Sequence, residues 1–356
     1  MERALAISGN PSSVHAAGRE ARALIEQSRE QVATLIGVRP QEVIFTSGGT
    51  EANASALRGA IEGALEVNDR ITRLFVSAIE HDSVLANAAA LAERVPGLRV
   101  ETVAVTADGV VDVQSLGSAL REGRGRALIA VMAANNETGV LQPIDEVSIL
   151  AKEANALLFV DAVQAAGKVE PDFSIVDYIS LSAHKIGGPQ GVGALVVKEG
   201  VPFAQQALGG GQERGMRAGT ENVSGVAGFG AAAGVATGAV LALRDRFERG
   251  LPSSAVVFGA SAPRLPNTSN FALPGIVAET AVMALDLDGV MVGSGAACSS
   301  GMMKPSKVLK AMGVSYDLAR CALRVSFGWS SAEDDVDAVL ASIARLLARV
   351  EKREAA

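Results

Sequence analysis

From residue 16 onward the apolar positions recur on a helical period. Ala23, Leu24, Val32, Leu35 and Ile36 are interleaved with Arg, Glu and Gln, and Gly37 ends the run. This pattern predicts an amphipathic helix over 16–36. The period then changes to short, mostly apolar runs at 42–45, 74–77, 100–105, 128–132, 157–160, 178–181 and 192–197. Each reads as a strand, with a hairpin-like turn at Asp108-Gly109 before 110–112 and a helix over 143–154. Strands that are predominantly apolar and alternate with helices indicate a mostly parallel sheet covered on both faces, an α/β class. Two further strand-like runs, 270–273 and 323–327, lie in the last third of the chain. Around residue 240 the composition turns from Gly and Ala to charged residues. The expected domains are therefore a large one over 1–240 and a smaller α+β one over 241–356.

The stretch 224–243 carries no charge and has the length of a membrane span. It is dominated by Gly and Ala, with Gly225, Gly228, Gly230, Gly234 and Gly238, which suits close packing of a buried or interface helix better than a bilayer. Across the 356 residues, 49% are hydrophobic and 20% charged, as in a globular chain. A formal charge of −7 argues against general nucleic-acid binding. Two cysteines, Cys298 and Cys321, and three histidines leave little for a disulfide framework or a structural metal. No apolar signal core opens the chain, so a cytoplasmic location is expected.

The chemistry concentrates at Ser182-Ala183-His184-Lys185-Ile186-Gly187-Gly188-Pro189, where an apolar strand delivers a hydroxyl, an imidazole and an amine before a glycine turn. A lysine amine forms a Schiff base with an aldehyde, as pyridoxal phosphate (PLP) enzymes require, although an isolated lysine is ordinarily a surface residue. Upstream, the strand 157–160 ends in Asp161, a carboxylate able to face a pyridinium nitrogen, and Gln164 lies within reach of the same place. Thr46-Ser47-Gly48-Gly49-Thr50-Glu51-Ala52-Asn53 reads either as a phosphate cradle at a helix start or as an ordinary glycine turn. His81, just past a strand, either stacks on a planar ring or caps a helix. Asn136 either donates to a cofactor oxygen or belongs to a plain Asn-rich turn. His15 reads as a loop residue with a local hydrogen bond. The loop 208–221, rich in Gly and Arg, suits an anion or a neighbouring subunit. Arg324 within an apolar strand needs an anion, and a substrate carboxylate fits its fork. Cys321 reads as a small buried hydrophobe. Cys298, among small residues at 292–305, reads as a thiol on a mobile loop.

These motifs together resemble the cysteine desulfurases, PLP enzymes of the class V aminotransferase group. The likeness runs from about Gly9 to about Ala348. It is carried by Thr46–Glu51, Glu80-His81, Asn135–Gly139, Val160–Gln164, Ser182–Lys185, Arg214–Thr220 and Ser294–Ser300. The resemblance implies the aspartate aminotransferase-like, fold-type I architecture and conversion of L-cysteine to L-alanine. In it Lys185 would hold the cofactor and move protons, Asp161 would pair with the ring nitrogen, and His81 would stack on the ring. Asn136 and Gln164 would bond the ring oxygen. Thr50, Ser182 and His184 would hold the phosphate, with Thr220 supplied from the partner of a homodimer. Arg324 would bind the substrate carboxylate, and Cys298 would take the sulfur as a persulfide for an acceptor or scaffold protein in iron–sulfur assembly or thiolation. The family's Leu-Asp-Asn-Ala-Ala-Thr-Thr-like strand is absent ahead of Gly9. Alternatives are a related PLP lyase or aminotransferase acting on another small amino acid, such as selenocysteine, and a poorly active, truncated paralogue.

Overall fold

A computed structural model describes residues 1–170, 172–235, 240–294 and 306–354. Cys298 and the rest of 295–305 lie outside the described residues. The chain divides into two compact units, Met1–Ala104 with Val111–Ala134 and Gln142–Ala236, and Val105–Val110 with Asn135–Leu141 and Thr237–Ala356.

In the first unit the elements follow as α1 (Glu2–Leu5), α2 (Ala16–Ile36), β1 (Val43–Thr46), α3 (Gly49–Glu66), β2 (Ile71–Ser77), α4 (Asp82–Arg94) and β3 (Arg99–Val103). Then come α5 (Val113–Glu122), β4 (Arg126–Ala130), α6 (Ile144–Glu153), β5 (Leu157–Asp161), β6 (Tyr178–Ser182), β7 (Gly193–Val197) and α7 (Val223–Ala233). The seven strands form one sheet in the order β1-β7-β6-β5-β4-β2-β3. The pairs β2–β3, β2–β4, β4–β5 and β5–β6 are parallel. Only β7 runs against its neighbours, β6 and β1. Its apolar run has no feature that distinguishes direction, so the sequence pattern could not show this reversal. Since β7 opposes both, β1 runs with β6, and the carboxyl ends of β1, β2, β4, β5 and β6 share one edge. Leu57, Ile61, Leu74, Phe159 and Tyr178 pack the core between that sheet and its helices.

Helix α2 matches its predicted span and ends on Gly37 in the left-handed region, at φ +69°. Helix α5 interrupts a stretch read only as strand and turn, and Asp112 caps it by accepting the Ser115 N–H at 2.9 Å. The uncharged run 224–243 is not one helix. Helix α7 ends at Ala233, capped by Gly234, and a new helix begins at Val240. Its glycines do serve close packing: a Cβ on Gly230 would lie 2.7 Å from Ser28 Cα of α2. Among the described residues no helix is long and apolar enough to cross a membrane.

The second unit contains α8 (Val240–Gly250), β8 (Val256–Val257), β9 (Thr268–Ala272), α9 (Ala278–Leu287), β10 (Gly293–Ser294), α10 (Lys307–Ala311), α11 (Tyr316–Ala319), β11 (Ala322–Ser326) and α12 (Glu333–Glu354). Its strands form an antiparallel sheet, β10-β11-β9-β8. Val336, Val339, Ile343 and Leu346 put one face of α12 into a core with Phe247, Phe271 and Leu323. The Phe247 ring meets Phe271 edge-on at 5.3 Å.

Candidate active site

Ligand sites in α/β proteins form beyond the carboxyl ends of parallel strands. In the first unit that edge carries the β1–α3 turn, the β2–α4 turn, Asp161 at the end of β5, and Ser182 to Lys185 after β6. Asp161 is buried, 5% exposed. Its Oδ1 accepts the Val163 N–H at 3.0 Å and its Oδ2 accepts from Asn53 Nδ2 at 2.8 Å. Burial raises its pKa, opposed by those hydrogen bonds and by the nearby His81. The described ion pairs give Asp161 no Lys or Arg partner. A protonated ring nitrogen is the kind of group such a carboxylate accommodates.

His81 caps α4, its Nδ1 accepting the Ser83 N–H at 3.1 Å and lying 2.7 Å from Ser83 Oγ. The helix-cap reading is thus realised, and the ring remains exposed at the sheet edge. Beside it Glu80 is fully buried, and its Oε1 accepts the Met132 N–H at 2.6 Å. Desolvation, then the charge of Asp161, pushes the Glu80 carboxyl well above the usual carboxylate range.

After β6, Ser182 Oγ lies 2.9 Å from His184 Nδ1, and Lys185 is half-buried in the short helical turn Ala183–Ile186. Partial desolvation, then the cations of Lys185 and Lys168, hold the His184 pKa below its ordinary value. The lysines, and not this imidazole, therefore carry the positive charge of the edge, and His184 offers it a neutral ring. Gln164 Oε1 accepts from Lys168 Nζ at 3.2 Å, which leaves its NH2 as the donor end of the amide. Thr50 is exposed in the first turn of α3. A Cβ on Gly49 would lie 2.9 Å from Val163 Cγ2 and 3.4 Å from Ser182 Cβ, so glycine keeps this turn close to the β5 and β6 ends. Gly193 does the same at the start of β7, where a Cβ would meet Gly48 C at 2.6 Å. The exposed Thr50 hydroxyl, the buried Ser182 hydroxyl beside it, a tight glycine turn and flanking lysines fit a phosphate, and a buried carboxylate fits a pyridinium. The residues of this edge suit pyridoxal phosphate.

In the loop 208–221, read as suited to an anion or a neighbouring subunit, the two arginines have partners within the unit. Arg214 donates to Gln41 O at 2.6 Å, and Arg217 pairs with Glu51 at 2.9 Å. Glu213 is buried and paired with buried Arg29 at 2.6 Å. Both arginines are spent within the unit, while Thr220 is exposed. His15 caps α2 through the Gly18 N–H, as its local reading expects. Asn53 and Ser83 were missed by motif reading. Their signal is slight: a polar residue in the Ala-rich first turns of α3, and another right after the His-Asp pair.

In the second unit, Arg324 lies in β11 and its Nη1 donates to Asn136 O at 2.8 Å. Asn270, its register partner on β9, donates to Glu137 O at 3.1 Å. Gly293 on β10 leaves room for the guanidinium, since a Cβ there would lie 3.2 Å from Nη2. Asn135 folds the same loop by accepting the N–H groups of Glu137 and Thr138, each at 2.9 Å. Cys321 is a buried thiol that bonds Asp317 O at 3.3 Å.

The Aminotransferase class-V family model matches residues 2–339. A cysteine desulfurase of Cereibacter sphaeroides is 43% identical over 342 residues, covering 93% of this chain and 87% of that one. A solved NifS-like protein superposes with a TM-score of 0.88 at 34% identity, covering 98% of this chain and 96% of that chain. Another solved structure, SspA in complex with cysteine, gives a TM-score of 0.80 at 29% identity over 92% of each chain. With its fold-type I sheet and a match along nearly its whole length, the chain belongs to the class-V aminotransferases, among their cysteine desulfurases.

Proposed function

We propose that this chain is a pyridoxal phosphate-dependent cysteine desulfurase that converts L-cysteine to L-alanine and passes the sulfur on through Cys298. The observation that carries the cofactor assignment is Asp161, a buried carboxylate at the end of β5 that accepts from the Val163 N–H and Asn53 Nδ2 and, among the described ion pairs, has no Lys or Arg partner. When bound, the cofactor supplies an electron sink for the carbanion at the substrate Cα. Asp161 would keep the proton on its ring nitrogen. Lys185 would anchor it through its amine and move the proton at the substrate Cα. Thr50, Ser182 and His184 would hold the phosphate, with Thr220 contributed by the partner of a homodimer. His81 would stack on the ring, and Asn136 and Gln164 would donate to its oxygen. Arg324 would bind the substrate carboxylate.

The sulfur step balances without an external oxidant. The Cys298 thiolate attacks the substrate sulfur, the Cβ–S bond breaks, and the electron pair left on carbon is protonated to give alanine. The persulfide on Cys298 then serves an acceptor or scaffold protein in the cytoplasm, for iron–sulfur assembly or thiolation. The relative solved with cysteine supports the substrate class. Borohydride reduction of the PLP-loaded protein tests the assignment. A pyridoxyl mass on the Lys185 peptide, absent in Lys185→Ala, is expected. No label at Lys185 in the parent would overturn it.

A further inference from the structure

One buried amide joins the residue that the cofactor reading pairs with the ring nitrogen to the residue that it stacks on the ring. Asn53 is 2% exposed, and its Nδ2 donates both to Asp161 Oδ2 and to Ser83 Oγ, each at 2.8 Å. Ser83 Oγ in turn lies 2.7 Å from His81 Nδ1, which also accepts the Ser83 N–H at 3.1 Å. The directions of these bonds are not free. An ionised Asp161 only accepts, so Asn53 must present its NH2 and not its oxygen. Asn53 Oδ1 is accordingly left buried without a hydrogen-bond partner, the cost of that orientation. Because His81 Nδ1 accepts the Ser83 N–H and so carries no proton, the Ser83 hydroxyl, which itself accepts from Asn53, donates to Nδ1. With two donors aimed at Nδ1, the neutral imidazole carries its proton on Nε2.

We propose that Asn53 and Ser83 are positioning residues which couple the Asp161 carboxylate to the tautomer of His81. The relay fixes both ends at once. It orients the carboxylate that faces the ring nitrogen, and it keeps His81 as an Nε2–H donor on the exposed side of its ring. The bonds themselves belong to the protein. Only their use in catalysis rests on the desulfurase reading.

The test uses ¹⁵N-histidine-labelled, PLP-loaded protein. The chain has three histidines, so His15 and His184 serve as internal references. In the parent, His81 shows its proton on Nε2 and a hydrogen-bonded, pyridine-type Nδ1. Ser83→Ala moves the Nδ1 signal toward the unbonded position. Asn53→Ala moves it the same way, although Asn53 does not touch His81. The double variant shifts no further than Ser83→Ala alone, and Ser83→Thr, which keeps the hydroxyl, restores the parent signal. If Asn53→Ala fails to fold, Asn53→Asp replaces it: the carboxylate draws the Ser83 proton and produces the same shift. A parent His81 protonated on Nδ1, an unmoved signal in the Asn53 variants, or additive shifts in the double variant would overturn the relay. Those outcomes are independent of Lys185 labelling, so the relay and the desulfurase reading fail separately.

Discussion

Glu213 and Arg29 offer a perturbation whose size follows from their surroundings. Their side chains are 2% and 3% exposed. Glu213 accepts Arg29 through two bonds, at 2.6 and 3.1 Å, and also the Phe45 N–H at 3.0 Å. Arg29 otherwise reaches Val43 O at 2.8 Å and Glu26, whose carboxylate is 54% exposed. Desolvation opposes the charge on Arg29, but its bonds to Glu213 prevail and leave its pKa raised. Glu213→Ala strands a buried guanidinium and an acceptorless Phe45 N–H. Removing one partner of such a pair costs about 3–5 kcal/mol. With a urea slope of about 2–3 kcal/mol/M, the midpoint falls by about 1–2.5 M. Arg29→Met should cost a similar amount. The double variant Arg29→Met/Glu213→Leu should recover more than half, because it leaves no buried charge. Glu213 and Arg214 also sit at φ +47° and +58°, a left-handed pair that these contacts hold in place. Urea unfolding followed by far-UV circular dichroism reads the shift, and amide exchange over 208–221 reads the loosened loop. Single variants within about 1 kcal/mol of the parent, or a double variant as costly as the two singles added, would refute the reasoning.

Other outcomes follow from the same physics. The folded protein binds a proton at Glu80 that the unfolded chain releases, so stability falls as pH rises from the ordinary carboxylate range toward the raised folded pKa. Glu80→Gln should therefore be more stable than the parent at neutral pH, with an advantage that shrinks on acidification; thermal melts across pH check this. Arg324→Lys loses the planar fork, and a lost charge-assisted bond of about 1.5–3 kcal/mol predicts a KM for L-cysteine roughly 10- to 100-fold higher. Steady-state alanine release measures it, and an unchanged KM would remove Arg324 from substrate binding.

Much of the fold was legible because its elements carry their own punctuation. Helix α2 has the period, a capping histidine and Gly37; the central strands are mostly apolar and end in chemistry. What stayed hidden depends on partners distant in sequence. The reversal of β7 leaves no mark in Gly193–Val197. Helix α5 is short, and its cap, Asp112, follows a turn that reads as a hairpin. Nothing in the loop 208–221 shows that carbonyls of 40–43 engage Arg214 and that Glu51 engages Arg217. For the site, Lys185, Asp161 and His81 stand in motifs. Asn53 and Ser83, 30 residues apart, acquire meaning only when α3 and α4 bring them together.

The central claim is that Cys298 takes sulfur from L-cysteine on a cofactor held at Lys185. Alanine release in the presence of reductant, by the PLP-loaded parent beside Cys298→Ala, tests it most directly. The account predicts alanine from the parent and little from the variant, with Lys185 labelled by pyridoxyl in both. No alanine from either protein despite labelled Lys185, or equal rates from both, would contradict it.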